Sequence, residues 1–297
     1  MVSRSLGVDI GGTDIKFGIV ENGKIIVKKK IPTLYINQTE ELVEYIADEC
    51  KKIVDEYSID KMGVGVPGDV KNNVVVKSGN LPFENLPLSD MISEKIGFRV
   101  NIENDANCAA LGELRFGEGK NHNDFVMLTI GTGIGGCIII NKEIYKGSGY
   151  AGELGHMILE KGGIPCSCGQ NGCFEQYAST SALVKEAVRS ANNDKNSTLY
   201  RLFAQNGEKM NGKILFKALS DNCIIAQNVF NKYADYLAEG LNSIIKVFDP
   251  EIVILSGGIT KEGDAFLKPI TDKMQKSGVV KISVLQDDAG VLGASLV

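Results

Sequence analysis

Between Ser5 and Val20 apolar residues fall in two short runs separated by Gly11, Gly12 and Thr13. This pattern predicts two strands joined at the glycines. Asn22-Gly23 then predicts a tight hairpin into a third strand over Lys24 to Ile31. From Asn37 the rhythm changes. Leu42, Val43, Ile46, Ala47, Cys50, Ile53, Val54 and Tyr57 recur at spacings of three and four, which is one face of a helix, and Asn37 with Glu40 resembles a capping box at its start. MGVGVPG at 62–68 reads as a buried strand ending in a turn, and FRVNIEND at 98–105 as another, with a helix from Asp105 onward.

The segment 124–145 repeats the opening: an apolar strand, a glycine cluster, a second apolar strand and a turn. Aligning Gly131 with Gly11 sets Thr129 opposite Asp9, a weak internal duplication of one strand–turn–strand unit. A helical pattern over roughly 223 to 247 stops at Asp249-Pro250, and the strand EIVILSGGI follows. Strands and helices alternate throughout, so the class is α/β. The polar, glycine-rich stretch GEGKNHN at 117–123 marks the expected break between two halves.

Composition narrows the function classes. The chain of 297 residues is 43% hydrophobic with a net charge of −5, enough for a sizeable core and without a basic block, so a nucleic-acid surface is not expected. It has no run of about 18 apolar residues, and MVSRS lacks a signal-peptide core; a soluble cytoplasmic protein with no membrane partner is expected. Of seven cysteines, Cys50, Cys108, Cys137 and Cys223 stand in apolar or helical contexts and read as small buried hydrophobes. Cys166, Cys168 and Cys173 cluster, and His156 lies ten residues before the first of them. One imidazole and three thiolates suit a closed, structural, tetrahedral Zn²⁺; the alternative is a set of unliganded thiols. Glu153 and Glu175 flank the cluster, either as surface residues or, if the loop lines a cleft, as acceptors for sugar hydroxyls.

Two glycine turns, one at the head of each half, suit phosphates approached by backbone N–H groups that no Cβ obstructs. Thr13 adds a hydroxyl, Lys16 a charge, and Asp9 is suited to a hydrated Mg²⁺. Neither turn matches a dinucleotide-binding or Walker pattern, and each by itself also reads as a structural hairpin, as Lys16 reads as a solvated strand residue. Ser256-Gly257-Gly258, after a buried strand, is suited to meet an adenosine or is a plain turn. Asp105 lies where a strand ends and a helix begins, where the helix N-terminus favours its ionised form. It reads either as an N-cap or as a general base for a hydroxyl.

Taken together and in order, DIGGT at 9–13, ENDAN at 103–107, TIGTGIGG at 129–136, GELGH at 152–156, CSCGQNGCFE at 166–175 and LSGGI at 255–259 resemble the ROK family (repressors, open reading frames and sugar kinases) of the actin-like ATPase superfamily. The resemblance covers nearly the whole chain. It implies two actin-like (ribonuclease H-like) α/β domains around a central cleft: residues 1–118 as the smaller one, rejoined by a C-terminal helix over 287–297, and 119–297 as the larger one with the zinc loop. It implies ATP phosphates met by Gly11, Gly12 and Thr13 on one side, with Asp9 near Mg²⁺, and by Gly131, Thr132, Gly133 and Gly135 on the other, with Gly257 and Gly258 bordering the adenosine. Asp105 is implied as the base for the sugar hydroxyl. Asn104, Glu153, His156 and Glu175 are implied as sugar ligands, with Asn80 and Gly68 from sugar-side loops, and His156 as a ligand of both zinc and sugar.

The implied activity is ATP-dependent phosphorylation of a hexose at the 6-hydroxyl. Asn80 in SGNLPFENLPL favours glucose; N-acetylmannosamine, fructose, allose and β-glucosides are alternative acceptors. The family includes sugar-sensing transcriptional repressors with a helix-turn-helix ahead of the first hairpin. Asp9 opens that motif almost at once, so no such module is expected. A non-catalytic sugar-binding protein is a further alternative, and a homodimer is the expected assembly.

Overall fold

The two apolar runs around the first glycines form a hairpin of β1 (Arg4–Ile10) and β2 (Asp14–Glu21). Asn22 and Gly23, both at positive φ (52° and 75°), turn the chain into β3 (Lys24–Pro32), the geometry that matches the twist of the flanking strands. The computed structural model describes residues 3–35, 37–79 and 81–297. Helix α1 (Thr39–Tyr57) buries the expected face, Leu42, Val43, Ile46, Ala47, Cys50 and Ile53 among it. Its start differs from expectation. Gln38, not Asn37, holds the N-cap position and makes no side-chain cap bond, while Thr39 Oγ1 donates to Pro82 O at 2.6 Å. Asn37 stands one residue outside the cap, so the spacing to Glu40 is out of register.

There follow β4 (Lys61–Val66), a small antiparallel sheet of β5 (Asp69–Lys71), β6 (Val74–Lys77) and β7 (Glu84–Leu86), then α2 (Leu88–Ile96), β8 (Val100–Asn104) and α3 (Asp105–Phe116). The main sheet runs β3-β2-β1-β4-β8, with β1 antiparallel to β2 and parallel to β4, and β4 parallel to β8. Strands β9 (Phe125–Ile130), β10 (Ile134–Ile140) and β11 (Glu143–Ile144) lead to the helices α4 (Glu175–Ala178), α5 (Thr180–Asn193), α6 (Thr198–Gln205), α7 (Gly212–Ser220) and α8 (Ile224–Phe248). The chain closes with β12 (Ile252–Ser256), α9 (Asp264–Thr271), β13 (Val280–Ile282) and α10 (Ala289–Ala294).

The second sheet runs β11-β10-β9-β12-β13. This is the order of the first sheet, position for position, so the duplication visible in one strand–turn–strand unit extends to five strands. The registers also correspond: Asp9 lies opposite Gly65 in the parallel pair β1–β4, and Thr129 opposite Ser256 in β9–β12. In such sheets ligands gather at the carboxyl ends of the strands, where the glycine turns stand.

Contacts gather the chain into two units, 1–123 with 137–151 and 284–297, and 124–136 with 152–283. From the sequence the break is expected within 117–123, with 1–118 and 119–297 as the two domains. Contacts place it after 123 and return residues 137–151 to the first unit, so that β10 crosses the division. The core of the first unit is built from Leu6, Val8 and Ile10 of β1 with Leu42 and Ile46 of α1 and Ile92 of α2, each fully buried. In the second unit Phe230 and Tyr233 of α8 pack against Phe266 of α9. The C-terminal helix lies backbone to backbone on α3: a Cβ at Gly293 would come within 1.6 Å of Cys108 O, and one at Gly112 within 2.3 Å of Ala289 O. Among the described residues no helix is long and apolar enough to cross a membrane.

Candidate active site

In the first unit β8 ends on Asn104 and α3 begins on Asp105. The N-cap is Asn104: its Oδ1 accepts the Asn107 N–H at 3.0 Å. Asp105 is therefore the first helical residue rather than the cap, half-buried, with Oδ1 taking the adjacent Ala106 N–H at 2.8 Å. The other end of the Asn104 amide donates to Gly68 O at 3.0 Å, which brings together two of the expected sugar-side residues. Asn80, the third, lies outside the described residues.

The first glycine turn is braced by Thr33, whose N–H donates to Thr13 O at 2.8 Å and whose Oγ1 donates to Gly11 O at 2.6 Å. Nothing in the sequence marks Thr33 for this. Lys16 and Asp9 face each other across β1 and β2, and Lys16 Nζ donates to Asp9 Oδ2 at 3.1 Å. Burial pulls the ammonium down, but the attraction and hydrogen bond of Asp9, with the charges of Asp287 and Asp14, outweigh it and hold its pKa above the ordinary value. Lys16 is thus the partner of Asp9, not a free solvated side chain.

In the second unit Gly131 N–H donates to Gly133 O at 3.0 Å, closing the second glycine turn, and Gly131 O accepts the Thr180 N–H that opens α5. Gly131 has open space on its Cβ side. Gly133 does not: a Cβ there would stand 2.4 Å from Glu175 Oε2. A side chain there would have to displace the Glu175 carboxylate, the mobile end of a flexible side chain. Gly257, at φ 118°, brings the end of β12 against Ile130 O. Gly131, Thr132 and Gly258 line a cavity of about 780 Å³ together with Thr180, Lys185 and Lys213, within the size range of small-molecule sites. The last three are residues the sequence reading missed. They come from the N-terminal halves of α5 and α7, two helices left unassigned from the sequence.

The remaining group is the cysteine loop. A ring nitrogen of His156 and the Sγ atoms of Cys166, Cys168 and Cys173 all lie within 4.8 Å of one another. Cys166 Sγ is 3.6 Å from His156 Nδ1, and Cys168 Sγ is 3.5 Å from Cys173 Sγ. Burial pushes the Cys166 thiol up and, with the Cys168 contact, the Cys173 thiol to about 12; the Gln170 N–H draws Cys168 down. His156 Nε2 points the other way, 3.7 Å from Glu153 Oε2. Glu175 joins this loop to the second turn: Oε1 lies 3.2 Å from Cys166 Sγ and Oε2 accepts the Ile134 N–H at 3.4 Å.

The ROK family model matches residues 5–297. The chain belongs to the ROK family. It is 36% identical to a glucokinase of Thermotoga maritima, over 98% of this chain and 96% of that relative. It superposes on the crystal structure of a ROK family glucokinase from Streptomyces griseus in complex with glucose and AMPPNP with a TM-score of 0.89 at 33% identity, over 99% of this chain and 98% of that one. A putative xylose repressor of Caldicellulosiruptor sp. is 30% identical over 98% of this chain, which spans 77% of the repressor's length. The fold is accordingly the two-domain actin-like α/β fold of ROK kinases, with five strands in each main sheet.

Proposed function

We propose that this ROK protein is an ATP-dependent hexose kinase, a glucokinase, which transfers the γ-phosphoryl group of ATP to the 6-hydroxyl of glucose. The single observation that carries the reading is the division of labour at the β8–α3 turn. Asn104 meets the helix N-terminus and Gly68 O, so the Asp105 carboxylate is not committed as the cap. Asp105 takes the proton of the 6-hydroxyl as the oxygen bonds to the γ-phosphorus and the bond to the ADP oxygen breaks. Asn104, Gly68, Asn80, Glu153, His156 and Glu175 hold the sugar. Gly11, Gly12, Thr13 and Lys16 on one side, and Gly131, Thr132, Gly133 and Gly135 on the other, receive the phosphates, with Gly257 and Gly258 against the adenosine. Bound with ATP, Mg²⁺ supplies charge neutralisation, with Asp9 as its residue here. The two actin-like domains correspond to the two contact units.

The donor set of the cysteine loop fits zinc. A tetrahedral ion with bonds of about 2.3 Å to sulfur requires ligand atoms about 3.8 Å apart, close to the 3.5 and 3.6 Å separations in the loop. His156 would bind it through Nδ1 and keep Nε2 for the sugar, with Glu153 and Glu175 fixed alongside. The protein works in the cytoplasm as a homodimer, which sedimentation tests.

The deciding experiment is an ADP-release assay with MgATP against glucose, mannose, fructose, allose, N-acetylmannosamine, N-acetylglucosamine and cellobiose. Glucose is expected to stand out in kcat/KM. Another sugar standing out would rename the acceptor, and silence across the panel with calorimetric sugar binding would favour a sugar-binding regulator.

A further inference from the structure

Glu103, the residue before Asn104, is 8% exposed yet carries a carboxylate with three donors on it. Oε1 accepts the Asn104 N–H at 2.8 Å and the Asn107 side-chain N–H at 3.0 Å; Oε2 accepts Lys146 Nζ at 2.5 Å. Lys146 is itself more than half exposed. It reaches in from a turn closed by the Gly149 and Ala151 N–H groups, both donating to Lys146 O, and lies seven residues before Glu153 along the chain.

Only the Glu103 carboxylate is buried; with Lys146 mostly exposed the pair adds little net stability, but the carboxylate left without its cation would be an uncompensated buried charge. What the pair does here is directional. Glu103 aims the backbone N–H of Asn104 and the amide of Asn107, and Asn104 in turn holds Gly68 O while Asp105 follows it at the start of α3. Lys146 is what keeps that carboxylate inside. Unpaired, it would turn toward water and release both amides, and the turn carrying the base would lose its frame. A displacement of about 1 Å at such a turn is enough to cost roughly 100-fold in rate. Resting on the kinase reading above, we infer that Lys146 and Glu103 form a latch that positions Asn104 and Asp105 for the sugar, so that both are positioning residues of the phosphotransfer reaction.

The test compares Lys146→Met, Lys146→Arg, Glu103→Gln and the double variant Lys146→Met/Glu103→Gln in the full chain. Three readouts are taken: steady-state kinetics with glucose and MgATP, glucose calorimetry without nucleotide, and hydrogen exchange over residues 104–107. Lys146→Met is expected to raise KM and Kd for glucose about tenfold while KM for ATP stays within twofold, and to speed amide exchange at 104–107 about tenfold. Lys146→Arg is expected within threefold of wild type. The double variant is expected to recover part of the loss, because the uncompensated buried anion is gone. An unchanged glucose KM in Lys146→Met, or an equal rise for glucose and ATP, overturns the latch. If the wild type phosphorylates no sugar, the kinase reading falls, and the exchange data still decide: unaltered protection at 104–107 in Lys146→Met overturns the latch by itself.

Discussion

At the scale of single residues, the base stands or falls on which side chain caps α3. Asn104 accepts the Asn107 N–H and Asp105 sits one position inside the helix, so removing the Asp105 charge should cost chemistry and not folding. Asp105→Asn is expected to lower kcat about 10³-fold while glucose affinity by calorimetry changes less than threefold. Turnover near wild type would make another group the base. Glu49 offers a separate residue-level test. Lys29 and then Lys52, by hydrogen bonds at 2.6 and 2.5 Å, hold its carboxyl below the ordinary value of 4.5 against the opposing effect of burial. A depressed folded-state pKa contributes stability above about pH 4.5 that is lost as pH falls through the folded value. The lysines are partly exposed, so the contribution is about 1 kcal/mol or less. Glu49→Gln should therefore flatten the acid limb of stability measured by urea unfolding below about pH 4.5 and lower it slightly at pH 7; a Glu49→Gln acid limb as steep as wild type would refute this.

At the scale of elements, the decisive contact is between α3, which carries Asp105, and α10. Their backbones touch because Gly112 and Gly293 have no Cβ. Gly293→Val forces the helices apart, and overpacking of this kind costs about 1–3 kcal/mol, at times more. A lower urea midpoint with an unchanged slope is expected; a midpoint equal to wild type would mean that the two helices separate freely. Of the elements themselves, the first hairpin of each half, α1, α8 and the strand before each glycine turn were legible, because periodicity and turn residues act locally, whereas β5–β7 and α5 were not read. The start of α1 was not: a cap depends on a register of one residue, and Asn37 missed it by that much. Thr33 was equally hidden, since it reaches the first turn from the end of a different strand.

At the scale of the whole molecule, the cysteine loop and the second glycine turn are joined through Glu175, so removal of the proposed zinc would be felt beyond the loop. Metal analysis of the purified protein is expected to find about one zinc per chain. Chelation is expected to lower Tm and to weaken glucose binding more than nucleotide binding, because Glu153 and His156 stand on that loop. Protein without zinc that binds glucose normally would sink the assignment.

The motifs in their order carried the resemblance to the family, and local rules were sufficient for the α/β class and for the positions of β1–β4, α1, β8, α3, β9, β10, α8 and β12. They also marked Asp105, His156 and the three clustered cysteines, because turn chemistry, capping preference and soft-ligand spacing are properties of short stretches. Other features needed the tertiary structure. The sheet order that repeats over five strands, the return of 137–151 to the first unit, the pairing of Lys16 with Asp9, the approach of Glu175 to Gly133, the α5 and α7 residues that line the cavity and the Lys146–Glu103 contact all join residues distant in sequence or across strands. Which partner such a side chain meets depends on strand pairing and helix packing that periodicity does not encode, and a buried charge declares its partner only when the chain has closed around it.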